Sequence, residues 1–271
     1  MKVSVIMGVY NTPEDYLNKC FMSLFESIKN YNYEIIIFND GSNTETTSVL
    51  KKLSEENKNI ILLGDGSNHG LAYGLNRCID FATGDYIIRM DSDDYCSPDR
   101  INNELTYLVK NNLELVGCDM HLFDENGTWG EKKYNSEIRA NSFLKTNPIS
   151  HPTTIFSKKI FDNGIRYNES KWCDRNEDYE LFMRIFSEGY KIGVLNEKLY
   201  YFREDKNAAN RRTFKSRINE SKVKYKGFKM LKLPFYNFVY CLRPIFIGLI
   251  PKWVYIKLRK RQHKLQGKVN E

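Results

Sequence analysis

The chain has 271 residues, 41% of them apolar and 28% charged, an ordinary balance for a globular protein that buries a core in one large domain or one domain with an appendage. Its six cysteines are never closer than 18 positions, which excludes a C-x-x-C metal knuckle or redox pair and fits a reducing compartment. The net charge of +7 is unevenly placed: residues 203–271 carry 19 Lys and Arg against 4 Asp and Glu, residues 1–202 carry 22 against 30, and such a basic tail suits an anionic partner.

The chain starts as a strand, Val3–Val9, without the long apolar core of a signal peptide. Asn11-Thr12-Pro13 then turns it into a helix with Leu17, Cys20, Phe21, Leu24 and Ile28 at helical spacing. A second apolar run, Tyr33–Phe38, ends at Asn39-Asp40-Gly41-Ser42 and is followed by a helix through Val49, Leu50 and Leu53. Ile60–Leu63 is a third strand, a helix spans about 71–82, and Tyr86–Met90 is a fourth strand. Strand and helix alternating at this spacing predict βαβ units and a mainly parallel sheet covered on both faces. The middle is less regular: a helix near 98–110, a strand near 113–118, a loop-rich stretch around Asn126-Gly127, a short strand at 153–156, and a helix from about Asn176 to Glu188.

Open parallel sheets bind ligands beyond the carboxyl ends of their strands. That rule selects Val9, Tyr10 and Asn11, then Asn39 and Asp40, then Asp65 to Gly70, then Asp91 to Asp94. The last group is the most informative, because an apolar run ends in three carboxylates within four positions: Asp91, Asp93 and Asp94, around Ser92. If the strand geometry persists, Asp91 and Asp93 share a face. Carboxylates that close repel unless something positive lies between them, and a hard divalent cation with a bound diphosphate is one solution. The plainer reading is an acidic turn, since Asp and Ser are common there. An EF-hand fails, because its glycine and glutamate positions hold Cys96 and Asn102. No G-x-G-x-x-G follows any strand, and the four histidines include no H-x-x-x-H pair. An aspartyl phosphatase stays formally open.

Taken together, the pieces Val3–Asn11, Glu34–Ser42, Asn68-His69-Gly70-Leu71 with Asn76, Gly84–Asp94 and Asn176–Phe182 resemble glycosyltransferase family 2, the inverting transferases with the GT-A fold, over about residues 1–205. The resemblance is strongest to bacterial enzymes that assemble capsule or O-antigen units. It implies a nucleotide-binding half at 1–95 and an acceptor-binding half at 96–205, followed by a C-terminal extension at 206–271. It implies that Val9, Tyr10, Asn11, Asp40, Asn68, Gly70, Asn76, Asp91 and Ser92 surround a nucleotide, with Asp40 on its base. It implies that Asp93, with Asp91, ligates Mn2+ or Mg2+, and that Asp178 is the catalytic base. Asp94, His151, Glu177 and Arg203 are then candidates for acceptor or diphosphate contacts. By itself, Asp178 at a helix start reads as a cap or a dipole partner. One departure is the segment Tyr201-Phe202-Arg203-Glu204-Asp205, which lacks the histidine that many relatives carry there; Arg203, Arg211 and Arg212 suit either a diphosphate or a solvated basic face.

The tail interleaves apolar runs with Lys and Arg, and its longest uncharged stretch, Leu233–Leu242, has 10 residues, against about 20 for a membrane span. Aromatic, aliphatic and basic residues so mixed suit an interfacial anchor on an anionic leaflet, or else packing on the catalytic domain. Nucleic acid is not expected as a partner, since no binding module for it is visible. The expected function is a metal-dependent inverting transfer of a hexose from a nucleotide sugar, a UDP-hexose by preference, to a polyprenyl-diphosphate-linked glycan. The expected place is the cytoplasm, at the inner face of the membrane. A nucleotidyl or phosphoryl transferase with the same acidic site, and an inactive membrane scaffold, are the alternatives.

Overall fold

A computed structural model describes residues 1–204 and 213–268; the boundary expected at 205/206, like Arg211 and Arg212, lies outside the described residues. Strand β1 (Lys2–Val9), helix α1 (Glu14–Ile28), β2 (Asn32–Asn39), α2 (Thr44–Glu56), β3 (Ile60–Leu63), α3 (Leu71–Phe81) and β4 (Tyr86–Arg89) form the predicted alternating half. The strands run parallel in the order β3-β2-β1-β4, with Val9 beside Asn39 and Ile6 beside Arg89, so their carboxyl ends line up. Successive side chains of β2 point to opposite faces. Ile36 and Phe38 pack under α3 with Leu75 and Ile79, whereas Ile35 and Ile37 pack with Leu17, Leu24 and Leu50 of α1 and α2. Both faces are therefore covered, as the continuous apolar runs require.

The second half departs from a purely parallel sheet. After β5 (Tyr95–Cys96) and α4 (Arg100–Lys110) come the long strand β6 (Leu115–Asp124) and β7 (Gly127–Lys132), which pairs antiparallel with β6. The stretch expected as a loop around Asn126-Gly127 is thus a hairpin, and Gly127, at φ 106°, is its tight point. Next are β8 (Ile155–Ser157), a short α5 (Lys159–Asp162), α6 (Glu177–Ser187) and β9 (Ile192–Arg203). Strand β8 runs antiparallel to both β4 and β6, and β9 runs parallel to β6 while its end pairs with β5. This last pairing brings residues 200–203 beside the turn that follows β4.

The C-terminal extension is helical: α7 (Phe214–Met230), a 3-10 turn over Phe235–Cys241, α8 (Arg243–Leu249) and α9 (Lys252–Lys268). Its inner side packs on the preceding part of the chain, with Val223, Phe228, Leu233 and Cys241 in the same core as Leu75, Phe156 and Phe182. Its outer side does not. Phe235, Tyr236, Val239, Phe246, Leu249 and Trp253 are each between 63% and 90% exposed. Among the described residues no single helix is long and apolar enough to cross a membrane, and the two segments that qualify only together are bent by 116° at their junction.

One carboxylate ties three strands of the first half together. Glu34 of β2 accepts from Lys2 Nζ (2.6 Å) and Ser4 Oγ (2.6 Å) of β1 and from the Thr83 backbone N–H (2.6 Å) ahead of β4. Burial alone would raise its pKa, but these hydrogen bonds outweigh burial and draw it down to about 2. A depressed folded pKa contributes stability above the unfolded value, and that contribution is lost as pH falls toward the folded one. Glu34→Gln should therefore cost about 2 kcal/mol at neutral pH and should flatten the wild-type loss of stability between pH of about 4.5 and 2, as read by urea unfolding.

Candidate active site

The site lies at the carboxyl ends of β1, β2 and β4. Asn11, at φ 53°, turns the chain out of β1; its Oδ1 accepts from Asn43 N–H (2.8 Å) and its own N–H donates to Ser42 Oγ (3.1 Å). Asn tolerates this left-handed conformation better than most residues. Gly41, at φ 71°, makes the matching turn after β2, and a Cβ there would lie 2.8 Å from the Asn68 nitrogen. Asp40 is buried between these loops. Its Oδ1 accepts from the His69 N–H (2.6 Å), its Oδ2 accepts from the Gly70 N–H (3.0 Å), and its carbonyl accepts from Asn68 Nδ2 (3.0 Å). Asp40 thus shapes the loop that enters α3, while Tyr10 stands 56% exposed at the rim.

Three residues expected around the nucleotide have their side chains buried in the fold. The Val9 side chain is buried in the core, and only its backbone serves the loops, accepting from Asp40 N–H (2.9 Å). Asn76 is buried in α3, donating to the Tyr167 carbonyl (3.0 Å) and Glu169 Oε1 (2.6 Å) and accepting from Tyr167 N–H (2.8 Å). Those bonds staple α3 to the segment before α6. Ser92 is also buried, with its hydroxyl 2.7 Å from that of Thr12, on the inner side of the acidic turn.

The strand geometry expected at Asp91 and Asp93 does not persist. Strand β4 ends at Arg89, and Ser92-Asp93 form a turn before β5. The turn achieves the convergence by another route, since one side-chain oxygen from each of Asp91, Asp93 and Asp94 lies within 4.8 Å of the others. The three are not equivalent. Asp94 is buried and its Oδ1 accepts from the Arg203 backbone N–H (2.6 Å). Burial, with the charges of Asp93 and Asp91, pushes its pKa well above the ordinary carboxylate range. Its expected role against acceptor or diphosphate gives way to one in the turn itself. Asp91 and Asp93 face the cleft. Together they offer the hard oxygen donors that Mg2+ or Mn2+ prefers, so the residues present fit such an ion.

Two arginines support this turn. Arg89 is buried and its Nη2 lies 2.5 Å from Asp91 Oδ1, and among the described residues its Nε and Nη1 have no hydrogen-bond partner. Arg203 donates from Nε to the Asp93 carbonyl (3.0 Å), with its guanidinium 3.6 Å from the centre of the Tyr16 ring. Arg203 therefore holds the acidic turn from behind as well as lining the cleft. Sequence reasoning did not single out Arg89, although it is a charge inside the apolar run of β4.

Across the cleft, whose volume is about 470 Å³, stands the start of α6. Asn176 occupies the N-cap without a side-chain capping bond. Asp178 Oδ2 accepts from Asn147 Nδ2 (2.9 Å). Burial and the adjacent Asp178 charge push the Glu177 pKa up to about 7. His151 lies deeper, its Nε2 2.7 Å from the Tyr167 hydroxyl; burial and the Arg89 charge hold its pKa well below the usual histidine value, so it is neutral. Sequence reasoning missed Asn147, Arg175 and three lining residues of the extension, Ser216, Glu220 and Arg259. Arg259 pairs with Glu204 at 3.0 Å, which attaches α9 to the rim. A loop asparagine and half-buried polar helix residues carry no sequence signal of their own.

Comparison with known proteins bears on the family and the fold. Residues 4–165 match the model of the family described as glycosyl transferase family 2. Over 96% of this chain and 94% of its own, EpsE of Bacillus subtilis (strain 168), named as a glycosyltransferase, is 32% identical. The O-antigen biosynthesis glycosyltransferase WbnJ of Escherichia coli is 33% identical over 69% of this chain and 72% of its own. Among solved structures, S. aureus TarS 1–349 in complex with UDP-GlcNAc superposes with a TM-score of 0.66 at 20% identity, covering 92% of this chain and 72% of that one, a likeness of fold. The chain belongs to glycosyltransferase family 2.

Proposed function

We propose that the chain transfers a hexose from a UDP-sugar, with inversion, to the terminal hydroxyl of a polyprenyl-diphosphate-linked glycan in surface polysaccharide assembly. The observation that carries this reading is that Asp91, Asp93 and Asp178 line one cleft at the strand ends. TarS, which shares the fold, was solved with UDP-GlcNAc, and WbnJ is named for O-antigen biosynthesis. Tyr10, Asn11, Asn68 and Gly70 border the nucleotide, and Asp40 keeps their loops in register. Asp91 and Asp93 would hold Mn2+ or Mg2+, which when bound offsets the negative charge of the departing nucleotide diphosphate. Asp178 takes the proton of the acceptor hydroxyl as its oxygen bonds to the anomeric carbon. The bond from that carbon to the diphosphate oxygen breaks on the opposite side, and UDP leaves with the bonding pair. One displacement needs one base, so Glu177, with a pKa near 7, is free to share in positioning the acceptor.

The extension supplies the approach to the acceptor. Ser216, Glu220 and Arg259 of α7 and α9 form one wall of the cleft, and the same extension presents the exposed aromatic and aliphatic side chains of 235–253. Apolar rings beside Lys and Arg suit the headgroup region of an anionic leaflet. A peripheral position at the inner face of the membrane would bring the cleft to a lipid-linked substrate.

Two outcomes are expected. With UDP-Glc, UDP-Gal and UDP-GlcNAc as donors and extracted lipid-linked glycans as acceptors, Asp178→Asn should keep the wild-type melting temperature. It should lower UDP release at least about 100-fold; near-wild-type turnover would remove Asp178 as the base. In cosedimentation with phosphatidylglycerol vesicles, the double variant Phe235→Ser/Trp253→Ser should stay in the supernatant under conditions where the wild type pellets. Equal pelleting of the two would reject the interfacial face.

A further inference from the structure

The extension is tied to the candidate base by a short chain of hydrogen bonds through one loop. The loop that follows the 3-10 turn at Ala140–Phe143 presents three successive carbonyls to the helices around it. Backbone carbonyls need donors, and here three successive ones draw theirs from three helices. The Phe143 carbonyl accepts from the Tyr179 hydroxyl of α6. The Leu144 carbonyl accepts from Lys224 Nζ of α7 (3.0 Å). The Lys145 carbonyl accepts from Lys224 Nζ (3.1 Å) and from Arg243 Nη1 of α8 (2.6 Å). Two residues further on, Asn147 donates to Asp178.

Lys224 is an expensive residue for mere packing. Its side chain is fully buried, burial lowers its pKa to about 8, and both bonds it makes go to this loop. Burying a cation without such donors and acceptors would cost several kcal/mol. The loop contains Asn147 and lies between the extension and the cleft, so its position follows from the two cations that hold it.

We infer that the C-terminal extension positions the catalytic base: Lys224 and Arg243 fix the 143–147 loop, and Asn147 on that loop orients the Asp178 carboxylate toward the acceptor hydroxyl. This rests on Asp178 being the base. Asn147, Lys224 and Arg243 are positioning residues, since none needs to touch substrate. A membrane-facing extension that also sets the base would couple docking to turnover.

The test is a double-mutant cycle on the full chain, read as UDP release in the donor and acceptor mixture above and as UDP affinity by calorimetry. Asn147→Ala should lower kcat about tenfold with UDP affinity unchanged, because a displaced group near the reacting atoms costs rate and not nucleotide binding. Lys224→Met should lower kcat in the same way, and combining it with Asn147→Ala should cause no further loss, because both act through one loop. Additive losses would mean that Lys224 acts by another route and would overturn the inference. If Lys224→Met does not fold, the exposed Arg243→Gln takes its place in the same cycle. Full kcat in Asn147→Ala, with Asp178→Asn inactive, overturns this inference alone; activity in Asp178→Asn overturns the base assignment beneath it.

Discussion

Three carboxylates within four residues repel one another, and the turn that carries them is the constraint on which the rest of the site depends. Burial and the charges of Asp93 and Asp91 push the Asp94 pKa well above the carboxylate range. The chain answers that strain with groups from distant segments. Arg89 at the end of β4 pairs with Asp91, the Arg203 backbone binds Asp94, and the Tyr200 hydroxyl accepts from the Asp91 N–H at 3.2 Å. Tyr200 and Arg203 both come from β9, whose pairing with β5 fixes their position. The mixed second half of the sheet therefore exists, in functional terms, to deliver the supports of a turn built by the parallel first half.

The same division explains what could be read from the sequence. The alternating half was legible because its strands are buried on both faces and its helices carry apolar stripes; β1 through β4 stand within a residue or two of their expected limits. The acidic motif was legible as a cluster of carboxylates, and of the two geometries open to it, a continued strand or a turn, Ser92-Asp93 form the turn. The β6–β7 hairpin was hidden because residues 127–132 are half-exposed and mostly polar. The bonding partners of Asn76 and Ser92 could not be read from the sequence. Both belong to matching segments, yet each spends its polar atoms on its own fold, Asn76 on the Tyr167 backbone and Ser92 on Thr12.

The apolar residues of the extension are not all used in the same way. From the sequence its apolar runs suited either a membrane or the catalytic domain, and they divide by face. Val223, Phe228 and Leu233 close the core beside α6, while Phe235, Phe246 and Trp253 point away from it. The basic residues divide likewise, with Lys224 and Arg243 turned to the 144–145 carbonyls and Arg259 paired with Glu204. A segment that completes the core, walls the cleft and leaves an apolar face outward is poorly described as an appended anchor.

The binding of UDP as a function of metal is the most direct measurement of whether the acidic turn and the strand-end loops form one nucleotide site. Titrated by calorimetry, the wild-type chain should bind UDP at least about tenfold more tightly with Mn2+ than without it, since charge neutralisation of a diphosphate beside two carboxylates is worth more than about 1.4 kcal/mol. Asp93→Ala should lose that difference. Equal UDP affinity with and without Mn2+ in the wild-type chain would contradict a metal held between Asp91, Asp93 and the nucleotide diphosphate.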